Sequence, residues 1–210
     1  MNRKTQILLK TLMWIACLWP MGTLVYGALT PDGLGADPTA HIELTTGYTT
    51  LMLLTITIGI TPVRRLSPRL AWMIRFRRLL GLFAFFYATV HMLAYAALYA
   101  GFNGNAMVDD IARRRFIAVG VAAWLILLPL ALTSTNGAIR KIGGKNWGRL
   151  HKLVYAAAVL SVVHYWWQVK TGVLLPLPFT VAVAVLLLAR PVEHWLLRRK
   201  PAAAKECGKL

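Results

Sequence analysis

Three histidines, His91, His151 and His164, sit in stretches of sequence apolar enough to lie within a membrane. His151 and His164 share one such stretch, WGRLHKLVYAAAVLSVVHYWWQ at Trp147–Gln168, and His91 lies in LLGLFAFFYATVHMLAYAALYA. Ionisable side chains are costly at membrane depth and usually face a bundle interior, a cavity or a cofactor. Imidazole is also a common ligand for metal ions and an axial ligand of haem iron. At ~1.5 Å rise per residue, His151 and His164 stand roughly 20 Å apart along one helix axis. A hydrocarbon core is ~30 Å thick, so one imidazole falls toward each side of it.

The elements that must carry these residues are apolar segments near 8–29, 44–62, 77–100, 114–133, 150–168 and 173–192. Each approaches the ~20 residues that a spanning helix needs. The expected fold is therefore all-α: a six-helix transmembrane bundle, one domain over 1–210, with a short tail at 193–210. Pro20 and Pro129 fall inside segments, where membrane bundles tolerate them. Hydrophobic residues make up 58% of the 210-residue chain and charged residues 15%, a balance that suits a membrane protein. The net charge of +17 would point to nucleic acid in a soluble protein. Here the basic residues fall between apolar runs, so topology accounts for them and the bilayer, not nucleic acid, is the expected partner. Arg3, Lys4 and Lys10 precede the first run in the manner of a signal peptide, but Thr11–Leu29 exceeds a typical h-region and no A-x-A site follows, so it reads as a retained helix. Cys17 and Cys207 are placed too differently to suggest a disulfide, and no CxxCH signature for covalent haem is present.

With the N-terminus in the cytoplasm, twenty of the 24 Lys and Arg fall on the cytoplasmic side, leaving Arg113, Arg114, Arg115 and Lys170 outside. Asp32, Asp37, Glu43, Asp109 and Asp110 then fall outside as well. The positive-inside rule thus predicts both termini in the cytoplasm. Segments three and five run in the same direction, which places His91 and His164 together toward the outer side and His151 toward the inner side. Fourteen residues before His91 lies Arg77, only ~40° short of four helical turns and so on the same face. The spacing of His151 and His164 falls ~140° short, which calls for a tilt, an irregularity or a frayed first turn at His151.

A His91/His164 pair on facing helices could clamp one b-type haem, and Arg77/His151 is the analogous inner pair. Arginine is normally cationic and a poor ligand. The inner haem would then be five-coordinate, or alternatively Arg77 would only pair with a propionate. Phe85, Phe86, Tyr87, Tyr95, Trp166, Trp167 and Ala156–Ala158 could flank a flat macrocycle. Against these stand simpler readings: His151 as a hydrogen-bonding residue between helices, Arg77 as a topology charge, and Trp147, Trp166 and Trp167 as interfacial anchors. His41 and His194 receive no role. TPDGLGADP at Thr30–Pro38 reads as a turn, and the basic stretch 64–78 as a positive-inside loop. Neither a Walker A motif nor a GxGxxG unit is present.

The chain resembles the MsrQ (YedZ) family of the ferric-reductase-like transmembrane superfamily. The likeness runs through GLGADP at Gly33–Pro38, TG at Thr46–Gly47, ITP at Ile60–Pro62, IRFRRLLGL at Ile74–Leu82 and ATVHMLAYA at Ala88–Ala96. It continues through LTST at Leu132–Thr135, W-x-x-LHKLVY at Trp147–Tyr155 and HYWWQVK at His164–Lys170. The resemblance implies a haem-bearing subunit of the bacterial inner membrane. Such a subunit passes electrons from the quinone pool, or from a cytoplasmic flavin reductase, to a periplasmic molybdopterin partner, MsrP, that reduces oxidised methionine. It also implies His91, His151 and His164 as axial ligands, with Arg77 where the wider superfamily has a fourth histidine. One or two b haems are implied, and FMN by resemblance alone.

An electron-transfer subunit is the leading expectation. A histidine-relay proton or metal transporter is the alternative of another class, disfavoured by the scarcity of acidic residues in the membrane segments. A ferric reductase acting alone differs only in its final acceptor. The outer stretches Gly33–Pro38 and Gly101–Arg115 are the expected docking surface for a partner.

Overall fold

The computed structural model describes residues 2–66, 68–169 and 175–199. Among them every regular element is helical and there is no strand. Helix α1 (Arg3–Leu29) is followed by α2 (Pro38–Leu66), a 3₁₀ segment at Pro68–Phe76 and α3 (Arg77–Ala94), which runs on into a π-helical turn at Tyr95–Tyr99. Then come α4 (Gly104–Arg113), α5 (Arg115–Leu132), the short α6 (Asn136–Ile142) and α7 (Gly144–Leu150), α8 (Leu153–Gln168) and α9 (Leu177–Arg199). Among the described residues, four stretches are long and apolar enough to cross a membrane: Lys4–Leu29, Pro38–Arg65, Leu70–Tyr99 and Arg115–Leu132. The 16-residue α8 and the apolar part of α9, Leu177–Ala189, are shorter. The chain is thus an all-helical, multi-pass membrane protein.

Each expected segment coincides with a helix, but the edges differ for identifiable reasons. The second helix begins at Pro38 because the Asp37 carboxylate accepts from the Ala40 N–H at 2.9 Å, with proline at the first helical position. That early start carries Glu43, expected in the outer loop, into the helix. The stretch Gly101–Arg115, read as a loop, is largely helical, since the Asn103 side chain caps α4 by accepting from the N–H groups of Asn105 and Ala106. The segment near 150–168 breaks at His151–Lys152 before α8 begins. The basic stretch 64–78 contains the 3₁₀ segment. The start of the sixth segment at 173, Lys170, the tail beyond 199 and Cys207 lie outside the described residues.

The core is built from two helix pairs, α2 against α3 and α5 against α8. They meet through α3–α5 and α2–α8 contacts, while α9 packs on α2 and α8. Helix α2 is rich in threonine for an apolar helix, and its buried hydroxyls are satisfied within their own helix. Thr46, Thr49, Thr50, Thr55 and Thr57 donate to the carbonyls of Ile42, Thr45, Thr46, Leu51 and Leu53, one turn back, at 2.7–2.9 Å. Back-bonding of this kind lets a polar side chain sit in an apolar interior without an orphaned donor.

Helix α1 is held by a different device. Pro20 removes a donor from its hydrogen-bond ladder. Beside it the hydroxyl of Tyr87, a residue with 0% exposure, donates to the Cys17 carbonyl at 2.7 Å and accepts from the Met21 N–H at 3.1 Å. The tyrosine is thereby inserted into α1 across one turn, a known way to satisfy backbone groups at an interrupted helix. Trp14 meets Phe83 edge to face, with ring centres 5.0 Å apart, on the same α1–α3 contact. Tyr87→Phe keeps the packing and orphans the bridge, so it should destabilise the fold by about 1–3 kcal/mol. Equilibrium unfolding in detergent, compared with the parent chain, checks this.

Candidate functional site

His91 projects from α3 and His164 from α8, and the two imidazoles face one another with ring centres 6.0 Å apart and planes at 86°. Both line one cavity of about 610 Å³, within the ~300–1,000 Å³ typical of ligand pockets. The close approach depends on two glycines. A Cβ on Gly47 of α2 would lie 3.1 Å from His91 Cε1, and one on Gly120 of α5 would lie 2.8 Å from His164 Nδ1. Each helix pair therefore places a glycine against the partner helix's histidine, and a larger residue would push the ring away.

The hydrogen bonds decide which ring nitrogen is available. His91 Nδ1 lies 2.8 Å from Glu43 Oε2, 3.1 Å from the Glu43 carbonyl and 3.3 Å from Thr46 Oγ1. The Thr46 hydroxyl already donates to the Ile42 carbonyl at 2.7 Å, so all three partners are acceptors and Nδ1 carries the proton. His164 Nδ1 donates in the same way to the Phe116 carbonyl at 2.7 Å. Among the described residues neither Nε2 has a hydrogen-bond partner, which leaves two lone pairs for a metal. Two imidazole–metal bonds of about 2 Å each, with ring centres about 1 Å behind the coordinating atoms, put ring centres about 6 Å apart across one ion. The observed separation fits a six-coordinate haem iron, and the cavity that both rings line is large enough to receive the macrocycle.

His151 and Arg77 are placed differently. Neither lines this cavity. His151 caps α7 in the turn before α8, which accounts for the poor helical phase between it and His164. Its ring stacks on Trp147, with centres 3.9 Å apart. Its Nε2 lies 3.2 Å from Thr133 Oγ1, a hydroxyl that itself donates to the Pro129 carbonyl at 2.6 Å. That hydroxyl is left as acceptor, so His151 Nε2 is the donor. Trp147 Nε1 donates to the Thr133 carbonyl at 2.9 Å, so Trp147 is a packing partner of His151 as well as an aromatic residue near a helix end. Arg77 donates to Thr61 Oγ1 at 3.3 Å and lies within electrostatic range of His151. The structure therefore brings His91 and His164 together on one cavity and places His151 and Arg77 outside it.

The flanking residues also differ from expectation. Of the aromatics expected around a macrocycle, only Tyr95 lines the cavity; Phe86 and Trp167 are exposed, and Tyr87 is engaged with α1. Trp166 bridges to α9 by donating to Thr180 Oγ1 at 2.7 Å. The aromatic part of the lining comes instead from Tyr48, Tyr99, Phe116, Trp124 and Tyr165, among small and aliphatic residues such as Ala88 and Val121. The sequence assigns no site role to Glu43, read as an outer acid, to Gly47, part of the TG motif, or to Gly120. The usable signal was Glu43–Gly47 at i, i+4, which share a helix face. At the rim, Asp110 accepts from Tyr95 at 2.9 Å and pairs with Arg114 Nε at 3.0 Å. A second groove of about 400 Å³ between α2 and α9 shares Tyr48 and Leu175 with the main cavity. Among the described residues it offers no cationic side chain to a phosphate, and no step is derived through FMN.

Residues 44–162 match the family described as ferric reductase like transmembrane component. Among curated relatives, the protein-methionine-sulfoxide reductase heme-binding subunit MsrQ of Herminiimonas arsenicoxydans is 47% identical over 195 residues, covering 92% of this chain and 88% of its own. The protein of the same name from Xanthomonas axonopodis pv. citri is 47% identical over 183 residues, covering 85% and 83%. That from Ralstonia nicotianae is 46% identical over 160 residues, covering 76% and 72%.

Gly120→Ala should displace the His164 ring at a cost of about 1–3 kcal/mol, equivalent to roughly ten- to hundredfold weaker haem retention. Gly47→Ala, with a 3.1 Å contact in place of 2.8 Å, should have the smaller effect. Haem-to-protein ratios of the purified variants check the order.

Proposed function

This chain belongs to the MsrQ family of ferric-reductase-like membrane proteins, and from that membership we propose that it is a haem-binding electron-transfer subunit of a methionine sulfoxide reductase system. The observation that carries the reading is the facing His91/His164 pair, with both Nδ1 protons committed and both Nε2 atoms left open. A haem bound there supplies a one-electron ferric/ferrous couple. His91 and His164 would supply its two axial nitrogens. Gly47 and Gly120 allow their rings the approach, and most of the cavity lining around them is apolar. Among the described residues that line the cavity, Arg114, whose Nε pairs with Asp110, is a cation that would offer its remaining nitrogens to the haem carboxylates. Sulfoxide reduction belongs to the partner subunit, and no residue of this chain is assigned to it.

The finer parts of the proposal follow from the family and from charge. The haem is b-type, since no CxxCH is present to attach it. The chain spans a bacterial inner membrane as six helices with cytoplasmic termini, as the distribution of basic residues favours. Electrons arrive from a quinol or a cytoplasmic flavin reductase and leave to a periplasmic molybdopterin partner of the MsrP type. One haem is the count that the His91/His164 geometry supports; a second, at the Arg77/His151 level, would use His151 Nδ1, the nitrogen that the Thr133 contact leaves unprotonated.

The test is the visible spectrum and haem content of the purified full-length protein. His91→Ala and His164→Ala should each abolish the bis-histidine haem. His151→Ala should leave the haem-to-protein ratio unchanged if one haem is bound, and lower it by about half if two are. Dependence of sulfoxide reduction on both subunits separates this reading from a ferric reductase acting alone. The buried Glu43–His91 contact also resembles the acid–imidazole pairs of proton relays. A colourless protein made with ample haem would shift the assignment to that transporter reading.

A further inference from the structure

Glu43 is unusual among the groups around the histidine pair. Its side chain is 9% exposed, its Oε2 lies 2.8 Å from His91 Nδ1, and its Oε1 has no hydrogen-bond partner among the described residues. Burying a carboxylate with half its acceptor capacity unfilled is costly unless a positive charge offsets it. Arg114, which lines the same cavity, has its Nε 3.0 Å from Asp110 Oδ1. The two imidazoles are unequal as well. Where His91 Nδ1–H meets a carboxylate, His164 Nδ1–H meets a neutral carbonyl, that of Phe116, at 2.7 Å.

Both facts have one explanation in the chemistry of the proposed haem. Ferric iron in a dianionic porphyrin with two neutral imidazoles carries one net positive charge at its centre, and ferrous iron carries none. A carboxylate one imidazole away stabilises the ferric form by direct charge compensation. It also acts through the ligand, because an N–H shared with an anion makes the opposite nitrogen a stronger donor. We propose that Glu43 is a positioning residue that sets the donor strength of His91 and thereby holds the reduction potential of the haem between His91 and His164 low. The proposal rests on the haem reading above. It gives the site a direction: a low-potential centre passes its electron onward readily, and the asymmetry between the two ligands assigns that tuning to the α2–α3 side.

Potentiometric titration of the purified full-length protein tests this, following the haem band that His91→Ala removes. Glu43→Gln removes the charge and keeps the shape. It should shift the ferric/ferrous ratio at a fixed potential about tenfold toward ferrous, an upward shift of about 59 mV for one electron. Glu43→Asp keeps the charge but withdraws it by one methylene, and its potential should fall between those of the parent and Glu43→Gln. If Glu43→Gln fails to retain haem, Glu43→Asp alone decides: a raised potential supports the proposal and an unchanged one overturns it. Equal potentials in all three proteins, or a rise in Glu43→Asp at least as large as in Glu43→Gln, also overturn it while leaving the haem reading intact. A parent protein without a bis-histidine haem instead removes the reading on which the proposal rests.

Discussion

A buried imidazole N–H must find an acceptor, and in an apolar helical bundle that requirement determines what each histidine can do. An orphaned donor in such surroundings costs about 1–3 kcal/mol, comparable with a large single-site effect on stability. Once one nitrogen has donated, the tautomer is fixed and the other nitrogen is either a lone pair or a second obligation. His91 and His164 spend the proton on Nδ1, toward α2 and α5 respectively, and leave Nε2 directed at neither. His151 spends it on Nε2, toward the Thr133 hydroxyl. Each of the three keeps one nitrogen without a hydrogen-bond partner among the described residues; what separates them is place, since His91 and His164 line a shared cavity and His151 lies outside it at a helix corner.

The acceptors come from the same contacts that build the core. Helix α2 packs along α3 through a face that carries Glu43, Thr46 and Gly47. The acceptors for His91 and the clearance for its ring are thus supplied by residues within about one turn. Helix α5 does the equivalent for His164 with Phe116 and Gly120. Threonine 46 shows the economy of the arrangement: its own proton goes to the Ile42 carbonyl, which leaves its oxygen free to accept. Packing and ligand orientation are therefore not separable in this fold. A substitution that loosens α2 against α3 also loosens His91.

Much of this was legible in the sequence because it depends on period and length. Apolar runs of spanning length located the helices, and the spacing of charges ordered the histidines along them, so that His91 and His164 were expected at one depth. Pro20 and Pro129 were read as tolerated interruptions and lie within α1 and α5. What periodicity could not supply were contacts across helices. The aromatic residues near the histidines looked like walls for a macrocycle, yet Tyr87 is occupied with the backbone of α1 and Phe86 faces outward. Hydropathy places the helix boundary at the last charged residue, which leaves Glu43 in the outer loop. The Asp37 cap instead starts the helix earlier and draws the glutamate inside. Short motifs that look like family marks also acquire physical reasons: the TG pair accepts from and clears the His91 ring, while Thr133, Ser134 and Thr135 of LTST satisfy carbonyls, hold His151 and cap α6.

The break between α7 and α8 is where the two kinds of histidine become compatible. A continuous helix through His151 and His164 would turn them to different faces, since thirteen residues fall ~140° short of whole turns. The chain leaves the helix at His151–Lys152, and Trp147 stacks on the His151 ring while donating to the Thr133 carbonyl at the end of α5. That corner fixes where α8 begins relative to α5. The orientation of α8 in turn decides whether His164 reaches Gly120 and the Phe116 carbonyl. Through the body of α8, His151 can therefore bear on where His164 is held. For the same reason, an effect of altering it must be separated by haem stoichiometry from an effect on His164.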